Sequence, residues 1–404
     1  MAAATTTNPK TKAPETSRAA RMDAIMEKLN KAATKRGRPA DRPIIQRASQ
    51  AVQHPLMGTG NLALDWALRG WFGRGQMVMV GGPDGSGKTR MMFDLIAYNQ
   101  KLDPEFTALY LFVEGGGVPI DAAVEAGVDL DRMHLLDFEK SGEGLFDRLS
   151  ELLIDQNGDY LDLLDVIILD SLAAVTPKAE IEAEAKEGFE KEPQQARLAA
   201  LTSRIFRNIM GRNTLGKCTL IILNQMRADL AAKYAGAVSW PGGHAAKHFP
   251  KVRLILRALT TDGRIVVDAG KTTERVLGNT VRGIVDKNNT GHAAPYQRFE
   301  YQYRYGLGVD HQRNLVDVAK AAGIVRPRGA WVFVDVMDAE TGTMQEMKFN
   351  GAAKMAEHLV QHPEFAAALE QHIRETMKRP LSETVSAAAP TDDTEDESSE
   401  DSEA

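Results

Sequence analysis

Residues 76–89 read QMVMVGGPDGSGKT, and the chain continues from Thr89 as TRMMFDLIAYNQ. The run before the glycines is apolar enough for a strand buried on both faces. The run after them carries apolar residues at helical spacing. Between the two, Gly82, Pro83, Asp84, Gly85, Ser86, Gly87, Lys88 and Thr89 spell GxxxxGK[ST], a phosphate-binding loop between the strand and the helix that its chemistry requires. Its glycines let successive N–H groups curl around a phosphate, and the helix N-terminus adds partial positive charge. Lys88 would bridge the β- and γ-phosphates of a nucleotide, and the Thr89 hydroxyl would ligate Mg2+. A glycine-rich turn matching by chance would lack one flank or the other.

Such a loop calls for further acidic groups at the ends of neighbouring strands. VIILD at Val166–Asp170 supplies one: four apolar residues, then Asp170 as the second metal ligand beside Thr89. ALYLFVE supplies another, with Glu114 just before Gly115 and placed to polarise an attacking water as general base. Either carboxylate by itself would read as a solvated loop residue.

Outward from the loop, strands are predicted at Gln76–Val80, Ala108–Val113, Val166–Leu169, Thr219–Leu223 and Val252–Leu256, with helices at Thr89–Gln100 and Arg197–Met210. Runs such as VIIL and LIIL suit central parallel strands, so the fold class is α/β with a mostly parallel sheet between helices. Residues 264–305 look antiparallel, and a smaller α/β lobe ends in a helix near Pro363–Met377. Before the core, Met22, Ile25, Met26, Leu29, Ala32 and Ala33 fall on one helical face, a stripe that must dock on something. The expected organisation is a disordered 1–16, an oligomerisation helix and linker at 17–49, an ATPase core at 50–309, a lobe at 310–380 and an acidic disordered tail at 381–404.

One cysteine, Cys218, in 404 residues excludes a disulfide framework and a four-cysteine zinc site. No apolar run reaches the ~18 residues of a membrane span, so a soluble, intracellular protein with no membrane partner is expected. The net charge of −6 would argue against nucleic acid, but it is unevenly distributed. Residues 391–404 hold eight acids and no base, which leaves residues 1–390 at +2, and residues 1–53 carry a local +7. The tail lies in sequence after a lobe bearing Arg326, Arg328, Arg374, Lys378 and Arg379, and would compete for that cationic surface through screened electrostatics.

The segments LDVIILDSLAAVTPKAEIE (Leu164–Glu182), ILNQMR (Ile222–Arg227), GGHAAKHFPKVRLILR (Gly242–Arg257) and MGTGNLALDWALRG (Met57–Gly70) resemble those of the bacterial RecA recombinases. The resemblance runs from about Ser17 to Pro380, and the core is accordingly expected to be a RecA-like P-loop NTPase. It implies an ATP- and Mg2+-dependent helical filament on single-stranded DNA that pairs and exchanges strands with homologous duplex, in recombination, repair and the SOS response. Nucleotide would sit between protomers, with the N-terminal helix packed on the next one. Partners would be DNA, further copies of the chain, and loading or single-strand-binding proteins. The setting would be the cytoplasm, at a bacterial nucleoid or in a phage-infected cell.

Carried over residue by residue, the resemblance assigns Lys88, Thr89, Asp170 and Glu114 to the phosphate, metal and catalytic positions. Gln225 falls on a glutamine that senses the γ-phosphate, and Tyr305 on an aromatic that packs on adenine across the subunit interface. Two departures suggest a divergent, UvsX-like member. Val118 and Asp121 stand where the family has an Asp and a Tyr near the adenine. IVDKNNTGHAAP replaces a segment with two lysines that act in trans, leaving Lys287 as the surviving candidate and slower hydrolysis as the expectation.

For DNA, the loop MRADLAAKYAGAVSWPGG offers Arg227, Lys233, Tyr234 and Trp240, cations with aromatics for stacking or wedging. Residues 182–196 hold five glutamates against Lys186 and Lys191 and read as a solvated loop, with Phe189 as a minor candidate. Contact is therefore assigned to Arg197 and Arg204 downstream, and to Lys247, with Arg253, Arg257 and Arg282 as further possible cations. The alternatives are a hexameric helicase-type ATPase on the same core, and an ATP-gated DNA-coating scaffold that hardly hydrolyses.

Overall fold

A computed structural model describes residues 17–35, 44–47, 49, 56–70, 72–136, 141–156, 160–187, 195–211, 215–228, 238–268, 274–291, 293–337 and 343–378. The segments 1–16 and 381–404, together with Phe189, Lys233, Tyr234 and Arg379, lie outside the described residues.

Six strands form the parallel part of the main sheet: β1 (Met77–Gly82), β2 (Ala108–Phe112), β3 (Met133–Leu135), β4 (Val166–Asp170), β5 (Thr219–Gln225) and β6 (Val252–Asp268). Antiparallel strands β7 (Glu274–Asn288), β8 (Arg298–Arg304) and β9 (Gly308–Val309) extend it beyond β6. The spatial order is β9-β8-β7-β6-β1-β5-β4-β2-β3, which puts β1 near the middle. The uninterrupted apolar runs follow from burial on both faces. Val78, Val80, Tyr110, Ile168, Ile221 and Leu223 belong to one hydrophobic cluster, while Met77, Met79, Leu109, Leu111, Ile167, Leu169, Leu220 and Ile222 belong to a second. Helix α3 (Lys88–Leu102) fills the first with Met92, Phe93, Leu95 and Ile96. Helices α5 (Gly142–Leu153) and α7 (Gln195–Gly211) fill the second with Leu145, Leu149, Ile205 and Phe206.

Two expected elements differ. Strand β6 runs to Asp268 instead of stopping at Leu256, because polar residues continue an antiparallel ribbon with β7 through three register shifts. The acidic stretch from Glu182 is not a loop at its start: residues up to Glu187 continue helix α6 (Lys178–Glu187). Alanine, glutamate and lysine are strong helix formers, and Lys178 and Glu182 pair one turn apart at 3.9 Å.

Helix α1 (Arg18–Thr34) is capped by Ser17, whose hydroxyl accepts from Ala20 N, and it buries none of its residues. Met22, Ile25 and Leu29 stand 47, 53 and 42% exposed, so its apolar stripe has no cover within the described chain. Its other side is tied to the following segment: Asn30 Oδ1 accepts from Ile44 N and Ile45 N, and Arg47 pairs with Asp23 at 2.6 Å.

The C-terminal lobe comprises α9 (His311–Ala321), an antiparallel three-stranded sheet (Val325–Arg328, Trp331–Met337, Met344–Phe349), α10 (Gly351–Gln361) and α11 (Pro363–Lys378). Helix α9 lies between lobe and core, packing on α10 and α11 as well as on α2 (Leu62–Leu68). Leu315, Leu359 and Ile373 therefore share one apolar cluster with Leu62 and Leu64. Buried polar contacts cross the same boundary, Asn314 Nδ2 to Asn61 Oδ1 at 3.0 Å and Arg374 Nη1 to Asp65 Oδ2 at 3.2 Å.

Candidate nucleotide cleft and neighbouring surfaces

Parallel register brings the scattered motifs to one edge. Gly82 pairs with Gln225 across β1 and β5, and Phe112 pairs with Asp170 across β2 and β4. The phosphate loop, Glu114, Asp170 and Gln225 thus all emerge at the carboxyl ends of adjacent strands, where open α/β sheets form their binding crevices.

The loop is built to face its own interior. Gly87 takes a left-handed φ of +87° as the N-cap of α3, a conformation costly for any residue with a Cβ. Lys88 Nζ donates to Gly82 O at 3.0 Å and Pro83 O at 2.9 Å, so its ammonium is folded into the curl that a phosphate would fill. Burial lowers the Lys88 pKa, against the opposing pull of Asp84, Asp170 and Glu114. Ser86 Oγ is buried and has no hydrogen-bond partner among the described residues. An orphaned hydroxyl and a cation held only by carbonyls are what a site for an anion looks like when its own groups face inward.

Asp170 is buried, and its Oδ2 accepts from Thr89 Oγ1 at 2.8 Å and from Tyr110 OH at 2.7 Å. Burial raises its pKa; the Tyr110 and Thr89 hydrogen bonds oppose that shift, nearby Glu114 adds to it, and Lys88 counters. Thr89 and Asp170, the two residues assigned to the metal, are thus joined directly. Among the described residues no cluster of three or more His, Cys, Asp or Glu could hold a metal ion, so Mg2+ would depend on phosphate oxygens as well. Glu114 is exposed, and its Oε1 accepts from Ser171 Oγ at 2.6 Å and Gln225 Nε2 at 3.0 Å. The carboxylate assigned as base and the amide assigned as sensor are therefore in direct contact. The Asp170–Ser171 peptide bond is cis.

The cleft, about 450 Å³, runs from Asp84–Arg90 past Glu114, Asp170 and Gln225 to Ala258, Asn279, Val281, Tyr303 and Tyr305. Tyr305 is 54% exposed on its rim, accepts from Asn279 Nδ2 at 2.6 Å, and meets Tyr303 edge-on. This aromatic thus lines its own chain's cleft. Val118 packs against the hydrophobic core and Asp121 lies in the first turn of α4 (Ile120–Ala126), and neither lines the cleft. Arg90, Asn279 and Tyr303 line it without having been anticipated. Tyr110 and Ser171 were also missed as partners. The only signal for Tyr110 is a hydroxyl inside an otherwise apolar strand.

The remaining assigned residues are not gathered in this cleft. Lys287 Nζ donates to His248 O at 2.6 Å, at the end of α8 (Gly243–His248), and does not line its own chain's cleft. Burial lowers its pKa, with Arg253 and Lys251 adding to the shift. Lys247 is exposed on α8. On α7, Arg197 Nη1 donates to Ala179 O at 3.0 Å, and exposed Arg204 reaches Glu143 Oε1 at 3.3 Å. Arg253 pairs with Asp286 at 2.5 Å and Arg282 with Glu300, whereas Arg257 is exposed. Arg227 lies in a two-residue strand paired with Val238–Ser239. Trp240 is not a free stacking residue: it is 7% exposed, lies under the Arg253 guanidinium at 5.5 Å, and packs where a Gly81 Cβ would stand 2.6 Å from its ring. Gly81, just before the phosphate loop, leaves that space for the ring.

Among the described residues no helix is long and apolar enough to cross a membrane. A family model described as the RecA N-terminal domain matches residues 23–310. Protein RecA of Pseudomonas fluorescens strain Pf0-1 is 32% identical over 344 residues, which cover 85% of this chain and 88% of that protein. Protein RecA of Synechococcus elongatus is 31% identical over 344 residues, 84% and 86% of the two chains. Protein RecA of Methylobacterium radiotolerans is 31% identical over 352 residues, 87% and 88%.

Proposed function

The chain belongs to the RecA family, and from that premise we propose that it is a DNA-dependent ATPase that forms helical filaments on single-stranded DNA and exchanges strands with homologous duplex. The observation that carries the reading is the meeting of three motifs at one sheet edge. These are the phosphate loop, the Thr89–Asp170 pair at 2.8 Å, and Glu114 held by Gln225 and Ser171.

ATP with Mg2+ supplies the transferable phosphoryl group and charge neutralisation. Lys88 exchanges its two loop carbonyls for phosphate oxygens, and the loop N–H groups and Ser86 Oγ supply donors toward the same space. Thr89 and Asp170 would hold the cation. Glu114 orients water and takes its proton, through Oε2 or through Oε1 once one of the two donors leaves it. Gln225 is the donor free to leave, since it stands at the end of β5 immediately before the segment 226–239. Its departure toward the phosphates would pull that segment with it, coupling nucleotide to the residues assigned to DNA: Arg227, Lys233 and Tyr234, with Arg197, Arg204 and Lys247 nearby in the chain. Lys287 would act on a neighbour's nucleotide, and the uncovered face of α1 would dock on that neighbour. A cytoplasmic setting follows from the same reading.

ATP turnover measured with and without single-stranded DNA, with electron microscopy of the same sample, tests this. DNA-stimulated hydrolysis with helical filaments is expected, with DNA affinity falling ~0.7 log per phosphate contact per decade of salt. Closed rings, or turnover indifferent to DNA, would defeat it. Slow turnover on intact filaments would instead support an ATP-gated coat, a reading motivated by Val118 and Asp121, neither of which lines the cleft.

A further inference from the structure

Strand β2 reads ALYLF, and the one polar atom among its side chains is the hydroxyl of Tyr110. Tyr110 is wholly buried, a position where an unbonded hydroxyl is costly and phenylalanine would serve the core equally well. The hydroxyl is not idle: it donates to Asp170 Oδ2 at 2.7 Å, the same oxygen that accepts from Thr89. Its ring is fixed from the other side by Phe93 of α3, with centroids 5.3 Å apart. The backbone fixes its place too, since β2 and β4 pair in register with Tyr110 opposite Ile168, two residues before Asp170. The position of the phenolic oxygen is therefore set jointly by the sheet and by the helix that begins at the phosphate loop.

Resting on the nucleotide reading above, we propose that Tyr110 is a positioning residue for the metal carboxylate. Its hydroxyl locks the orientation of Asp170, so that the carboxylate is already aimed when the cation arrives with nucleotide. Thr89 holds the same oxygen, but its hydroxyl is also assigned to the cation, whereas that of Tyr110 is assigned to the carboxylate alone. Tyr110 does not line the cleft, so its bond to Asp170 would hold the carboxylate both before and after the cation binds. Partners of this kind, one step behind the ligands, set metal affinity by fixing ligand geometry. The two hydroxyls beside the cleft thus divide the work, Tyr110 holding Asp170 and Ser171 holding Glu114.

The test uses the full-length chain and a fluorescent ATP analogue, titrated with Mg2+ at fixed nucleotide. Tyr110→Phe removes one oxygen and leaves the ring against Phe93. It is expected to raise half-saturating Mg2+ about tenfold, with Mg2+-free nucleotide affinity unchanged and turnover largely recovered at high Mg2+. Ser171→Ala, which leaves Asp170 untouched, is expected to lower turnover without moving the Mg2+ midpoint. A Tyr110→Phe midpoint equal to wild type overturns the proposal. So does a variant that fails to fold or loses Mg2+-free binding in parallel, since either assigns Tyr110 to the core alone. Failure of the wild-type chain to bind the analogue at any Mg2+ concentration would strike the nucleotide reading itself, and that arm is scored separately.

Discussion

Replacing Arg374 by methionine tests how the C-terminal lobe is held to the core. Asp65 is completely buried, and three donors serve it: Thr59 Oγ1 at 2.7 Å, Thr59 N at 3.2 Å and Arg374 Nη1 at 3.2 Å. Arg374 also bonds Glu370 at 2.7 Å and lies over the Tyr98 ring at 5.7 Å. Burial outweighs Arg374 and Thr59 and pushes the Asp65 pKa from 3.8 up to about 6. Because the folded value lies above the unfolded one, the folded state binds the proton more tightly between them. Stability from this group therefore falls as pH rises from about 4 to 6, then levels off. At pH 7.5 the pair is ionised, and removing the cation strands a buried carboxylate at a cost of roughly 3–5 kcal/mol. That is a fall of about 4–6 °C in Tm for a chain of this length. At pH 5 most wild-type Asp65 is already protonated, so the variant loses mainly the stacking of Arg374 on Tyr98 and its partly exposed pair with Glu370, together about 1–2 kcal/mol. Calorimetric unfolding of Arg374→Met at both pH values reads the difference, and adding Asp65→Asn should recover most of the loss at pH 7.5. A penalty equal at pH 5 and 7.5 would refute the charge argument and leave Arg374 as packing.

Three further outcomes are expected. Glu114→Gln should lower ATP turnover at least ~100-fold while leaving nucleotide affinity within a few-fold, as measured by steady-state kinetics beside equilibrium binding. Gly81→Ala would put a methyl 2.6 Å from the Trp240 ring and 2.7 Å from Met226 Sδ, costing about 1–3 kcal/mol and shifting tryptophan emission; unchanged unfolding and emission would contradict the packing described. Ile25→Asp on the uncovered face of α1 should abolish assembly in sedimentation while leaving the core's melting temperature within about 1 °C, because the side chain is 53% exposed and touches no core residue in the free chain.

Local patterning made much of this protein legible. The phosphate loop declares itself because its donors, its lysine and its hydroxyl are contiguous and flanked by an apolar strand and an amphipathic helix. Asp170 and Glu114 were legible because each closes an apolar run, and a strand end is a local property. The uncovered stripe of α1 could be read from its spacing alone. What periodicity could not carry was which side chains would share an acceptor. Tyr110 and Asp170 are 60 positions apart, and Asp65 and Arg374 are 309 apart. In sequence one reads as a core aromatic and the other as the surface arginine of an amphipathic helix. Strand register decided the first pairing, and the docking of α11 on the core decided the second. The same limit explains Trp240, which reads as an exposed loop aromatic until the missing Cβ of Gly81 opens a place for its ring. Apolar spacing along one chain determines which residues must be buried. Which polar atom meets which across that burial depends on distances between elements, and those exist only once the sheet is assembled.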